Sequence, residues 1–145
     1  MKTLSFSLAP RDWAICYQHD CPWANRCLRH AVALLAPANL THHNTVLPAA
    51  REGDTCSLFA TAEPVQIARG MKSMLPRTSS GWVAAVRQDL YKVFGSVAMY
   101  YRYRDGRYDI TPEQQARVEA VFRKYGIEEQ PKYDSTALAY YFPAK

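Results

Sequence analysis

Glycine is scarce, with six among 145 residues, and none belongs to a phosphate-cradling loop or a dinucleotide fingerprint. The chain also lacks HExxH and GxSxG, so it carries neither a helix-borne zinc-protease pair nor a nucleophile elbow. A thiol beside Arg26 or His30 is the one catalytic option, because a neighbouring positive charge favours thiolate, but nothing in the sequence brings acid, base and thiol together. The expectation is a protein that is not an enzyme. There is no internal repeat and no low-complexity segment, which removes repeat architectures and biased tails.

Long apolar runs are missing too. The longest uncharged stretch, Ala31 to Ala50, is broken by Pro37, Asn39, His42, His43, Asn44 and Pro48 and cannot cross a bilayer as an apolar helix. The short apolar run after Lys2 is interrupted by Pro10, Arg11 and Asp12 before an export-signal core can form. No membrane association and a cytoplasmic location are expected. In a reducing compartment a cysteine cluster is more often metal-binding or catalytic than disulfide-bonded.

The hydrophobic fraction of 48% and the aromatic fraction of 12% suit a folded chain that buries about 70% of its unfolded surface. One domain over residues 1–145 is expected, with a cysteine-rich metal-binding part at 1–60 and a helical basic part at 61–145. The net charge of +5 is uneven. Residues 1–68 carry five basic and five acidic side chains, residues 69–107 eight and two, and residues 108–145 five and six. A basic middle segment is the footprint of contact with nucleic acid or an acidic protein partner, although a solvated helical face has the same composition.

Caps and breakers mark the elements. Thr111, Pro112 and Gln114 form a capping box with proline at the first helical position, because hydroxyl and amide satisfy orphan N–H groups. Val118, Val121, Phe122 and Tyr125 follow at helical spacing, and Gly126 with Ile127 makes a Schellman end. Ser79 and Ser80 cap a second helix with Trp82, Val86, Leu90, Val93 and Phe94 on its stripe, ending near Gly95. Pro64 opens another, carrying Val65, Ile67, Ala68, Met71 and Leu75 until Pro76. Residues Cys27 to Leu35 also read as helical, Asp105-Gly106 reads as a hairpin or wing turn, and Trp13, Trp23 and Trp82 read as core anchors. His42 and His43 belong to a surface loop. The predicted fold is mainly α with small β elements, a metal-stapled N-terminal part packed on a helical C-terminal part.

Cys16, Cys21, Cys27 and Cys56 supply three thiols within one short stretch and a distant fourth that can close a thiolate shell across two segments. Zn2+ is the first cofactor expected, with His19 or His30 able to replace a cysteine. An iron–sulfur cluster is the alternative, since Pro22 follows Cys21. Unligated core cysteines or a redox role remain open.

The pattern C-P-x4-C-L-x2-A, formed by Cys21, Pro22, Cys27, Leu28 and Ala31, resembles the cluster-binding stretch of the WhiB-like iron–sulfur regulators over about a dozen residues, with four residues between Cys16 and Cys21 where those proteins have a CxxC. Across nearly the whole chain, Trp13 and Cys16, then Cys-Pro and Cys-Leu-Arg, then Cys56 with Phe59, then Tyr100 to Gln115, the order of features resembles a family of small bacterial proteins of unknown function. That resemblance implies no activity, only that the cysteines and the Tyr-Arg segment belong together.

That segment interleaves Tyr100, Tyr101, Arg102, Tyr103, Arg104, Arg107 and Tyr108. Rings stack on bases and guanidinium groups grip phosphate or guanine, so with Lys92 these residues form the candidate nucleic-acid surface. Tyr and Arg are equally enriched at protein interfaces. As a strand, the segment would turn Tyr101 and Tyr103 one way and Arg102 and Arg104 the other. Helix, turn at Gly95, short segment and third helix resemble a helix-turn-helix, though Tyr91 falls where a small residue is usual and Ser96 where an apolar one is. The expected function is a metal-stabilised nucleic-acid-binding protein of the transcriptional-regulator type, with a non-catalytic interaction or adaptor domain as the alternative.

Overall fold

The computed structural model describes residues 1–76 and 81–144, so the caps expected at Ser79 and Ser80 lie outside the described residues. Two compact units emerge: Met1–Val65 with Ala139–Lys145, and Gln66–Leu138.

The first unit has little regular structure. One short helix, α1 (Leu28–Leu34), stands where the sequence places it, with Cys27 extended at its N-cap. A two-stranded ribbon of β1 (Arg51–Glu52) and β2 (Thr55–Cys56) pairs Arg51 with Cys56, and Gly53 at φ +59° supplies the left-handed conformation that its tight turn needs. The core is Trp13, Ile15, Leu28, Val32, Ala33 and Ala60, with Phe142 packed against it. Lone hydrogen bonds replace long ladders here: Leu28 N–H donates to Ala60 O at 2.7 Å, Val46 N–H to Ile15 O at 2.8 Å, and Ala62 N–H to Arg26 O at 3.0 Å.

The second unit is built on a three-stranded sheet in the order β4-β3-β5, formed by β3 (Val65–Arg69), β4 (Asp109–Ile110) and β5 (Ser135–Ala139). Helices α2 (Gly81–Phe94), α3 (Val97–Arg104) and α4 (Pro112–Lys124) complete it, with α2 packed on both α3 and α4. Its core gathers Ala68, Met71, Val86, Leu90, Phe94, Tyr100, Ile110, Val118 and Phe122 among others. The capping box of α4 forms as read: Gln114 N–H donates to Thr111 Oγ1 at 3.2 Å, and Thr111 N–H to Gln114 Oε1 at 3.0 Å. At its other end Gly126 N–H meets Arg123 O and Ile127 N–H meets Phe122 O, the two bonds of a Schellman end.

Several expectations are corrected. The fold is mixed α/β rather than mainly α, with four helices and five short strands in two sheets among the described residues. The helix expected from Pro64 is strand β3, paired antiparallel to β4 through Ala68 and Ile110; Val65 and Ile67 are β-branched and fit a pleated surface. The segment after Ser96 is helix α3 rather than a strand, because the Ser96 side chain accepts from Met99 N–H and caps it, and the Asp105-Gly106 turn leads from that helix to β4 instead of joining two strands of a hairpin or wing. Trp82 is 49% exposed and anchors no core, whereas Trp13 is buried. The N-terminal part is not metal-stapled: among the described residues no group of three His, Cys, Asp or Glu side chains stands so as to hold a metal ion. Its packing rests on the Trp13–Leu28 core and on hydrogen bonds made by Arg29.

Candidate functional site

All four cysteines line one small cavity of about 30 Å³ in the first unit, together with Arg29, His30 and Arg51. Among the described residues no Asp or Glu lines it. Each thiol is half-buried and free. Cys27 stands at the N-cap of α1, Cys56 ends the ribbon, and Cys21 N–H donates to Gln18 O at 3.4 Å, closing a turn. Cys16 is tied to α1 at two points: its N–H donates to Arg29 O at 3.1 Å, and His30 Nδ1 donates to its carbonyl at 3.0 Å. That bond occupies His30 Nδ1. His19 sits edge-on to His30 and is itself exposed.

Arg29 is the residue that the sequence left without a role. Only 3% of its surface is exposed, and its guanidinium donates to Leu58 O at 2.7 Å and Ala14 O at 2.6 Å. Burial draws its pKa below the usual arginine range, and Cys27, then Cys56, then Cys16 act in the opposite direction. Burial pushes the Cys16 thiol up; a backbone N–H from Gln18 lowers it, while Cys27, Cys21 and Cys56 raise it further. The sequence signal for Arg29 was the triplet Cys-Leu-Arg, in which it follows Cys27 by two. Arg26, considered as a neighbour of a reactive thiol, lies 4.4 Å over the Trp23 ring instead.

The Tyr-Arg segment forms a second constellation, in the other unit. On helix α3 its residues do not alternate. Tyr100 is buried in the core against Phe94 and Tyr91, which takes it out of any contact surface. Tyr103 packs 4.7 Å from the Phe94 ring and is half-buried. Tyr101 is 39% exposed, and the Arg104 guanidinium lies 5.6 Å from its ring. Arg102 and Arg107 are exposed, and Arg107 N–H donates to Arg102 O at 3.0 Å, so the loop folds Arg107 back onto the end of α3.

The ion pairs among the described residues are Arg69 with Asp109 and Asp89 with both Lys92 and Lys124. Arg102, Arg104 and Arg107 therefore have no carboxylate partner within the described residues. Lys92 is exposed at the end of α2 but shares Asp89 with Lys124. A favourable interaction with the C-terminal dipole of α3 is the bland account of Arg102 and Arg104; it leaves Arg107 and Tyr101 unexplained.

The sequence model of one family, described as a family of unknown function (DUF6078), matches residues 1–142. The chain belongs to this family. No curated protein and no solved structure matches the chain. The family covers both the cysteine cavity and the Tyr-Arg helix, and the comparisons add nothing to the local likeness to WhiB-like regulators around Cys21 and Cys27. No described helix is long and apolar enough to cross a membrane.

Proposed function

We propose that this member of the family binds nucleic acid through the end of α3 and the loop that follows. One observation carries the reading: Tyr101, Arg102, Arg104 and Arg107 stand at one helix end without any carboxylate partner among the described residues. Unpaired guanidinium groups gain most from phosphate, whose two oxygens match their fork, and an exposed ring beside them can stack on a base. The two-residue turn of Gly95 and Ser96 between α2 and α3 has the connectivity of a helix-turn-helix. Gly95 adopts φ +97° there, which a side chain would oppose.

The second reading is an acidic protein partner, favoured by Val97, exposed at the start of the same helix. Apolar surface beside arginine is the composition of a protein interface. Substitution separates the two. Arg102→Ala and Arg107→Ala should weaken oligonucleotide binding and leave the unfolding free energy within about 1 kcal/mol of the parent's, because both side chains are exposed. Tyr101→Ala should cost roughly 1 to 3 kcal/mol of affinity. If Val97→Ser abolishes a protein complex while the arginine variants bind oligonucleotide like the parent, the nucleic-acid reading is wrong.

A further inference from the structure

The cysteine cavity is left unused by a nucleic-acid surface in the other unit. Its wall combines four free thiols with Arg29 and Arg51 and holds no carboxylate. Thiols that react with oxidants sit in such surroundings, electropositive and partly exposed, whereas structural cysteines are buried among apolar groups. Arg29 makes the point sharper. A guanidinium on a residue at 3% exposure, hydrogen-bonded to carbonyl oxygens and stacked on the Trp13 ring, is a buried cation without a carboxylate partner among the described residues, an arrangement that burial disfavours. The groups in the cavity able to become anionic are the thiols.

We propose that Cys27 and Cys16 form an oxidant-responsive pair in this cavity, with Arg29 as counter-charge to the Cys27 thiolate and hydrogen peroxide as the class of oxidant. The backbone sets the two side by side. Cys27 stands at the N-cap position of α1, and Cys16 is held to the first turn of that helix through Arg29 O and His30 Nδ1.

In the first step the Cys27 thiolate attacks one peroxide oxygen and the O–O bond breaks. Cys27 becomes a sulfenic acid, and the departing hydroxide takes up the proton that Cys27 had released, giving water. In the second step the Cys16 sulfur attacks the Cys27 sulfur. The S–O bond breaks, and hydroxide leaves with the Cys16 proton as a second water. Two thiols lose two electrons in total, and one peroxide becomes two waters. Cys16 suits the second role, because a thiol held protonated by burial does not compete for the oxidant.

The test is stoichiometric peroxide on the full chain purified under reductant and without oxygen, followed by alkylation and peptide mapping without reduction. The expected map shows a Cys16–Cys27 disulfide, with Cys21 and Cys56 still alkylated. Cys16→Ser should stop the reaction at a Cys27 sulfenic acid that dimedone traps, Cys27→Ser should abolish dimedone labelling, and Cys21→Ser should behave as the parent. The parent's own map decides the matter even if a variant fails to fold. A Cys21–Cys56 disulfide, four thiols that remain fully alkylatable, or thiols blocked by bound metal in the protein as purified would each overturn the proposal.

Discussion

The Arg29 guanidinium lies 4.2 Å from the centre of the Trp13 ring, so the most buried charge of the first unit is sandwiched between an indole face and the carbonyls of Ala14 and Leu58. Stacking and a fixed fork are properties of arginine that lysine cannot reproduce. Arg29→Lys should therefore destabilise the protein by about 2 kcal/mol, because an ammonium lacks the planar fork that serves both carbonyls, and Arg29→Met by about 3 kcal/mol, because it leaves both without a donor. Denaturant midpoints check this. A lysine variant as stable as the parent would show that the guanidinium geometry holds nothing together.

Tyr133 supports the core of the second unit, yet its hydroxyl is buried without a hydrogen-bond partner among the described residues. Burial, with Glu119 adding to it, pushes its pKa up to about 12. An orphan hydroxyl is a liability that phenylalanine removes while keeping the ring. Tyr133→Phe should raise stability by roughly 1 kcal/mol, read as a higher melting temperature. A fall in melting temperature would mean that the hydroxyl has a partner.

Asp89 accepts from Lys124 Nζ at 2.7 Å and from Tyr125 Oη at 2.8 Å, and these bonds, Lys124 first, hold its carboxyl below the ordinary value of 3.8. The unfolded chain consequently takes up this proton first as pH falls. The contribution of Asp89 is complete well above pH 3.8 and is lost as pH drops through the lower folded value. Asp89→Asn should lower stability at neutral pH and make the acid limb shallower. An unchanged acid limb would show that Lys124 and Tyr125 do not discriminate between the two protonation states.

Local signals carried far in this chain. The α4 helix was legible at both ends, because a capping box and a Schellman end are encoded within a few residues. The strand β3 was not, because its partners come from β4 and β5, forty or more residues away in sequence. A stripe of Val65, Ile67, Ala68 and Met71 serves helix or strand until those partners are known.

At the candidate sites the cysteines were legible as a group, but their chemistry was set by residues that spacing does not reveal. Arg29 turned inward because Ala14 and Leu58 offer carbonyls from two distant segments. The sequence groups Tyr100, Tyr101 and Tyr103 as one aromatic surface. The helical period divides them, placing Tyr100 against Phe94 and leaving Tyr101 in solvent. What survives as a candidate contact surface is Tyr101 with Arg102, Arg104 and Arg107, and Lys92 beside its acidic partner Asp89.

The most direct measurement is fluorescence anisotropy of labelled single-stranded and duplex oligonucleotides, titrated with the parent and with Arg102→Ala, Arg104→Ala and Arg107→Ala over a salt series. Each guanidinium that meets a phosphate releases counterions, so log affinity should fall linearly with log salt, and each substitution should reduce that slope by about one. Binding by the parent at low salt with a smaller slope in each variant is the predicted result. No binding of either oligonucleotide at low salt, or slopes that the three substitutions leave unchanged, would contradict it.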